Sequence, residues 1–230
     1  MTTMNIPMPR EQLERIVRQV VRQRFAERLQ AGEPQLSAAY TSNLVVNISA
    51  RHVHLCRAHL ETLFGPGADL TVYRWLYQPG EFASEQTLTV IGPRRRAIEH
   101  VRVLGPLRDA TQVEVSFTDA VALGIAAPVR RSGSAADTPG CLLLVPAGVV
   151  ELPHGVIRPH RHVHMSPADA EALGFEDGQL VRLRVTSDCT TTFERVLCRV
   201  RPQFLLEVHL DTDEGNASNL VGAQDVELLA

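Results

Sequence analysis

The chain has 230 residues, of which 44% are hydrophobic and 21% charged, and its formal net charge is −3. This length can bury the core of one large domain or of two small ones. The charge argues against extensive binding to nucleic acid or to a membrane surface. An aromatic content of 5% argues against a surface that stacks the bases of single-stranded nucleic acid. No CxxC pair and no secretory signal occur, so we expect four reduced cysteines and a cytosolic compartment.

The first segment has the pattern of an amphipathic helix. Residues 9–29 place apolar side chains at helical spacing along one face, with Arg and Glu on the other face. The following AGEPQLSAAYTSN is rich in Gly, Pro, Ser and Ala. We therefore predict a helix at 1–30 and a linker at 31–42. The helix either docks on its own domain, forms an oligomer contact, or binds elsewhere by helix-in-groove packing.

After the linker the hydrophobic pattern becomes that of β-strands. The predicted strands are NLVVNISA, ADLTVYRWLY, QTLTVIG, AIEHVRVLG, TQVEVSF, CLLLVPAG, QLVRLRVT, TTFERVLCRV and FLLEVHLD, and the predicted helices are RAHLETLFG, FTDAVALGI and SPADAEALGF. Thr118 and Ser166 are the expected N-caps, and Gly124 and Gly174 the expected C-terminal ends. Many short strands with few helices favour small β-barrels, mainly β with short capping helices, over a doubly wound sheet.

One long segment of the chain occurs twice. RHVHLCRAHLETLFGPGADLTVYRW aligns with RHVHMSPADAEALGFEDGQLVRLRV, and each copy gives Arg-His-x-His, a short helix ending at Gly, a turn and a strand. Such a duplication predicts two related barrels. We expect a first, discontinuous barrel from 43–50 and 160–230, and a second from 51–159.

The two His-x-His stretches predict metal sites. Alternate residues of a strand point to one face, so His52 faces the same way as His54, and His162 the same way as His164. Imidazoles at positions i and i+2 are well placed to share one ion. A histidine-rich surface without metal is the alternative, but the duplication favours metal binding.

Each pair needs further ligands. His209 lies on a predicted strand that ends in an acidic loop, and Glu114 lies in the middle of another strand, where it could also be an ordinary exposed residue. His160 stays unassigned, because the first copy has no equivalent histidine. These ligand types suit Zn²⁺, with Co²⁺, Ni²⁺ or Fe²⁺ as alternatives, and three protein ligands leave a position open for water or substrate.

An arginine follows the Gly-Pro turn of VRVLGPLRD. Arg108 precedes the Glu114 strand, and an arginine beside a metal site is a natural bidentate partner for phosphate. A solvated loop arginine is the alternative.

Several separate motifs, in order, resemble one known family. VNISARHVHLC, VRVLGPLR, SFTDAVALGIAAPVRRSG, GVIRPHRHVHMSPADAEALG and EVHLDTDEGNAS are similar to motifs of the PduL-type phosphotransacylases, over about Val46 to Asn219. The resemblance implies two small β-barrels capped by short helices. It also implies reversible transfer of an acyl group between coenzyme A (CoA) and inorganic phosphate at a site with two metal ions, usually zinc.

The resemblance also implies roles for individual residues. One metal ion would be held by His52, His54 and Glu114, and the other by His162, His164 and His209. Arg108 would bind phosphate. The CoA pocket would include Ser49, Arg74, Arg102, Leu104 and Asn216. Microcompartment members of the family carry an encapsulation helix, which residues 9–29 resemble. The implied partners are CoA, phosphate, acyl phosphate, shell or cargo proteins and further copies of the chain, within a bacterial microcompartment lumen or otherwise the cytoplasm.

Two other functions remain compatible with the residues. A zinc-dependent hydrolase of a phosphate-bearing substrate would use the same ligands, and a non-catalytic scaffold would use structural zinc. Structural zinc sites usually hold four protein ligands, often Cys, and no Cys joins either His pair at a ligand spacing. Propanoyl-CoA is the expected substrate, with acetyl-CoA as an alternative.

Overall fold

The computed structural model describes residues 44–230, so the predicted helix at 1–30 and linker at 31–42 lie outside the described residues. The described chain forms two curled, half-barrel sheets with few short helices, which confirms the predicted mainly β fold. None of the helices within residues 44–230 is long and apolar enough to cross a membrane.

The first sheet has six strands and joins the start of the described chain to its C-terminal part. In spatial order its strands are β1 (Val45–Ser49), β14 (Glu207–Asp211), β11 (His162–Met165), β13 (Thr191–Val200), β12 (Leu180–Thr186) and β15 (Asp225–Leu229). The alternating pattern of LVRLRVT predicts one buried and one exposed face, and β12 has both. Its buried residues are Val181, Leu183 and Val185, and its exposed residues include Arg182 and Arg184.

The second sheet has eight strands on its main path and one further strand at the side. In spatial order these are β7 (Val129–Arg130), β10 (Val156–Pro159), β6 (Gln112–Glu114), β2 (His52–His54), β5 (Ala97–Gly105), β4 (Phe82–Ile91), β8 (Cys141–Val145) and β9 (Gly148–Leu152), with β3 (Val72–Trp75) paired to β4. β4 begins earlier than predicted, and β3 is shorter than predicted.

Within residues 44–230, four short α-helices and one 3₁₀ turn connect the strands. They are α1 (Arg57–Phe64), α2 (Phe117–Leu123), α3 (Pro167–Leu173), α4 (Thr212–Ala217) and the 3₁₀ turn Leu220–Gly222. Gly124 and Gly174 adopt the left-handed conformation at helix C-termini, and Ser166 caps α3, all as predicted.

Two local predictions were wrong. The N-cap of α2 is Ser116 rather than Thr118, because Ser116 forms a reciprocal capping box with Asp119, whereas Thr118 lies inside the helix. The predicted acidic loop after His209 is the helix α4, since Asp211 makes a capping box with Glu214.

Each sheet encloses its own apolar core. One core is built from residues between Val53 and Val156, and the other from residues between Val163 and Leu228 together with Leu44 and Val46. The strand β1 reaches the second of these cores by pairing in parallel with β14. The boundaries at 43–50, 51–159 and 160–230 remain our proposal for the division into two domains.

Candidate functional site

The two His-x-His strands occupy equivalent places in their sheets. β2 lies between a parallel neighbour, β5, and an antiparallel one, β6, and β11 lies in the same way between β13 and β14. Across the antiparallel pair, Glu114 stands opposite His52, and His209 stands opposite His162. Directly opposed residues share one face of a sheet. The register therefore brings each predicted third ligand to its histidine pair.

The first group contains His52, His54 and Glu114. The His52 Nε2 atom lies 3.5 Å from Glu114 Oε2, and the His54 Nε2 atom lies 3.9 Å from Glu114 Oε1. All three side chains are buried, and one ligand atom from each lies within 4.8 Å of the others. This spacing could hold a metal ion.

The second group contains His162, His164 and His209. Their ring centroids are 4.7 Å apart in every pair, and their ligand atoms also lie within 4.8 Å of one another. The ring of Phe204 stacks on His164 with a centroid separation of 4.0 Å. The stacked ring limits the movement of the His164 imidazole.

Backbone carbonyls fix the tautomer of the first histidine in each pair. The Nδ1 atom of His52 lies 2.8 Å from Ala50 O, and the Nδ1 atom of His162 lies 2.9 Å from His160 O. Because a carbonyl oxygen only accepts, each Nδ1 carries the proton and donates it. Each Nε2 then keeps its lone pair for a metal ion. His160 contributes its carbonyl to this arrangement.

Several buried nitrogen atoms of the two groups have no hydrogen-bond partner among the described residues. They are Nδ1 of His54, both ring nitrogens of His164, and Nε2 of His209, which lies 3.2 Å from Glu207 Oε2 without hydrogen-bonding geometry. A buried polar group without a partner costs about 1–3 kcal/mol. Unpaired imidazole nitrogens beside a carboxylate fit a divalent ion such as Zn²⁺.

Burial keeps the imidazoles of His54, His162 and His164 neutral. It is the main cause that holds the pKa of His54 and of His162 well below the usual value, and neighbouring His and Arg charges lower both further. Burial, together with His209 and Arg199, lowers the pKa of His164 to about 3. A neutral imidazole is the form that binds a metal ion.

Polar side chains hold Glu114 in place. Gln112 Nε2 and Ser132 Oγ each donate to Glu114 Oε1 over 2.6 Å. Arg108 Nη1 donates to Ser132 Oγ over 2.9 Å and lies 4.0 Å from Glu114 Oε1. The predicted phosphate arginine thus lies beside the first group. Gln112 and Ser132 were missed, because neither belongs to a spacing motif.

A second buried network links the two sheets. Glu207 Oε1 accepts from Asn47 Nδ2 over 2.5 Å, and Glu207 Oε2 accepts from Gln78 Nε2 over 2.6 Å. Gln78 follows β3. Its Nε2 also donates to Leu205 O over 3.0 Å, and its Oε1 accepts from Leu205 N over 3.1 Å. This network fixes the carboxylate next to His209. Neither Gln78 nor Glu207 was predicted as a site residue, because their contact spans 129 residues of sequence.

The arginine of each Arg-His-x-His stretch has a structural partner. Arg51 Nε lies 2.9 Å from Asp119 Oδ1, and Arg161 Nε lies 2.7 Å from Glu214 Oε1. Asp119 and Glu214 are the carboxylates of the capping boxes of α2 and α4. These ion pairs join the start of β2 to α2, and the start of β11 to α4. α2 follows β6, which carries Glu114, and α4 follows β14, which carries His209.

A cavity of about 570 Å³ lies against both groups. Its lining includes His52 and His209, and also the predicted CoA residues Ser49, Arg74, Arg102 and Leu104. Such a volume is typical of small-molecule and cofactor sites. Ser49 Oγ is 3.3 Å from His209 Nδ1, so this hydroxyl also contacts the second group.

The predicted CoA residue Asn216 and the predicted phosphate residue Arg108 do not line this cavity. Asn216 is exposed on α4, and the half-buried Arg108 lies on the Glu114 side.

The structure adds Arg199, which stands opposite His164 in the sheet. Its Nε atom is buried without a hydrogen-bond partner among residues 44–230. Burial lowers the Arg199 pKa, and the charges of Arg131 and Arg108 lower it further, so positive charges gather here.

The fold and the site define a two-sheet β protein with two groups able to hold metal ions beside one cavity. Residues 45–221 match the family model for phosphate propanoyltransferase. A protein of that name from Planctopirus limnophila is 53% identical over 96% of this chain and 91% of its own length.

Two further proteins of the same name extend the comparison. That from Thermotoga maritima is 51% identical over 77% of this chain and 84% of its own length, and that from Salmonella typhimurium is 47% identical over 75% and 82%. The chain belongs to the phosphate propanoyltransferase family. It is an acyltransferase of the phosphotransacylase type.

Proposed function

We propose that the chain transfers a propanoyl group reversibly between CoA and inorganic phosphate in this cavity, with a divalent ion, Zn²⁺, held by each three-residue group. The main support for the proposal is the register of the strand pairs β2–β6 and β11–β14. This register places a third ligand from the antiparallel neighbour next to each His-x-His pair. Family membership supports the reaction itself. Bound divalent ions would polarise the thioester carbonyl and offset the charge of phosphate.

The proposed role of Arg108 is to bind and orient phosphate. One of its nitrogens already donates to Ser132, and the remaining donors of the guanidinium can bind two phosphate oxygens. The nearby charges of Arg131 and Arg199 add positive potential on the same side of the site. A fixed set of cations next to the reacting oxygen stabilises charge that develops in the transition state.

In the proposed reaction a phosphate oxygen attacks the thioester carbonyl carbon directly. The new C–O bond forms as the C–S bond breaks, and the CoA thiolate leaves with the electron pair. The buried cysteines give no support to a covalent acyl-enzyme. Burial raises the pKa of Cys141 and of Cys198 to about 12, so both stay protonated, and neither lines the cavity.

The ligand count argues against a purely structural metal site. Each group offers three ligands among the described residues, whereas structural zinc sites usually have four. A hydrolase would use the same three ligands, so only its products separate it from a transferase. The acyl chain preference, the assignment of Ser49, Arg74, Arg102, Leu104 and Asn216 to CoA, and the metal identity belong to the proposal.

The product of the reaction tests the proposal. With purified protein, propanoyl-CoA and phosphate, ³¹P NMR should show propanoyl phosphate in an amount equal to the free CoA thiol released. Omission of phosphate should stop thiol release. Thiol release without phosphate, together with free propanoate, would identify a hydrolase instead.

Three parts of the expectation rest on residues outside the described range or on further chains. They are binding of microcompartment shell or cargo proteins through residues 9–29, location in the microcompartment lumen, and homo-oligomer formation. We retain them as predictions of the family resemblance.

A further inference from the structure

Three aromatic side chains stand exposed along one wall of the cavity. Tyr73 is 62% exposed, Trp75 66% and Tyr77 43%, and all three line the cavity that His52 and His209 also line. Large aromatic side chains are normally mostly buried in a folded domain. A cluster of them at the wall of a cavity indicates a surface kept for a ligand.

The backbone explains why this segment faces the cavity. Among the described strands, β3 pairs only with β4, and its register shifts between Val72 and Arg74. Such a shift breaks the strict alternation of a strand. β3 ends at Trp75, so Leu76 to Gln78 are free of strand alternation, and the consecutive residues 73–78 all line the cavity.

Neighbouring side chains position two of the aromatic rings. The Trp75 ring packs edge-to-face on Phe82 with centroids 5.5 Å apart. The Arg102 guanidinium lies 4.8 Å from the centre of the Tyr73 ring, and its Nη1 donates to Ser84 O over 2.8 Å. Rings held by such contacts lose little freedom when a ligand stacks on them.

We propose that Tyr73, Trp75 and Tyr77 form a stacking subsite for the adenine ring of CoA. The inference rests on the proposed function, because it takes CoA as the acyl carrier in this cavity. The same cavity contacts the histidine groups, where the thioester would react, and the aromatic segment, where the other end of a long ligand would lie. None of the residues that the family resemblance assigns to CoA is aromatic.

The position and composition of the wall together favour a nucleotide over a protein partner. Arg74 lies between Tyr73 and Trp75, and Arg102 lies against Tyr73. Alternating cationic and aromatic side chains suit a planar base that carries phosphates. Protein–protein interfaces are also enriched in Tyr, Trp and Arg. The deciding observation is that this wall lines the same concave cavity as His52 and His209, which fits an extended small-molecule ligand.

Trp75 is the only tryptophan of the chain, so its fluorescence reports directly on this subsite. Adenosine 3′,5′-bisphosphate, the nucleotide end of CoA, should quench the emission in a saturable way, and CoA should compete. Pantetheine, which lacks the base, should leave the emission unchanged. No quenching by either adenine compound would overturn the proposal. Because this titration needs no turnover, it stands even if the proposed reaction fails.

Kinetics of variants give a second test. Trp75→Ala should raise the KM for CoA about tenfold in thioester formation from propanoyl phosphate, with kcat within twofold. The KM for pantetheine as acceptor should not change, and Trp75→Phe should restore most of the affinity for CoA.

Tyr77→Ala serves as a second variant with the same expected pattern. An unchanged KM for CoA in both alanine variants would overturn the subsite. Equal losses with CoA and pantetheine would do the same, because they would indicate general damage to the cavity. A change of oligomeric mass in light scattering without a change in KM for CoA would indicate a contact between copies and overturn it as well.

Discussion

Replacing His54 by alanine is expected to lower the kcat of propanoyl transfer about 1,000-fold. His54 is buried with its Nδ1 unpaired among the described residues, and its Nε2 lies 3.9 Å from Glu114. Its loss leaves two ligands in the first group. Metal-ion catalysis contributes several kcal/mol to the transition state, and about 4 kcal/mol corresponds to this factor. Steady-state kinetics with propanoyl-CoA and phosphate measure the effect.

His154→Ala is the matched control. His154 is exposed between β9 and β10 and belongs to neither metal-binding group, so its replacement should leave kcat within twofold. Circular dichroism of both variants should match that of the unaltered protein. A folded His54→Ala variant with full activity would remove the first group from the mechanism.

Replacing Arg108 by alanine is expected to lower kcat/KM for phosphate about 100-fold while the KM for propanoyl-CoA stays nearly constant. Hydrogen bonds to charged groups contribute roughly 1.5–3 kcal/mol each, so loss of a bidentate contact accounts for this factor. Arg108→Lys should recover only part of the loss, because an ammonium cannot form the planar two-bond contact. Varying phosphate at saturating propanoyl-CoA measures both variants.

Arg184→Ala provides the comparison for Arg108→Ala. Arg184 lies on the exposed face of β12, where its Nε is 3.9 Å from Glu227. Its removal should not alter the KM for phosphate. If Arg108→Ala instead raised the KM for propanoyl-CoA and left that for phosphate unchanged, the arginine would belong to the CoA side of the site.

The sequence predicts the parts of the site that depend on strand period. Two histidines at positions i and i+2 of a strand must share a face, and the duplication repeats this pattern. The sequence alone therefore predicts His52, His54, His162 and His164 as site residues. The caps Ser166, Gly124 and Gly174 could be predicted in the same way, whereas Ser116 was missed as the N-cap of α2. The α4 helix was missed although Asp211 and Glu214 have capping-box spacing, because Gly215 and Asn216 favour a loop.

The supporting residues could not be found in this way. Gln78 meets Glu207 across a separation of 129 residues, and Ser132 reaches Glu114 from a loop 18 residues away. Such contacts depend on tertiary packing and follow no local period. The aromatic wall was likewise hidden, because a strand predicted over 68–77 implies alternation, whereas β3 has a register shift after Val72 and ends at Trp75, and residues 73–78 all line the cavity.

The central claim is metal-dependent acyl transfer, and metal content measured together with activity tests it most directly. The purified protein should contain two divalent ions per chain by inductively coupled plasma mass spectrometry. Removal by chelator should abolish formation of propanoyl phosphate while circular dichroism keeps its β signature, and added Zn²⁺ should restore activity. Full activity in the metal-free protein would contradict the account. Unfolding on metal removal would favour structural zinc.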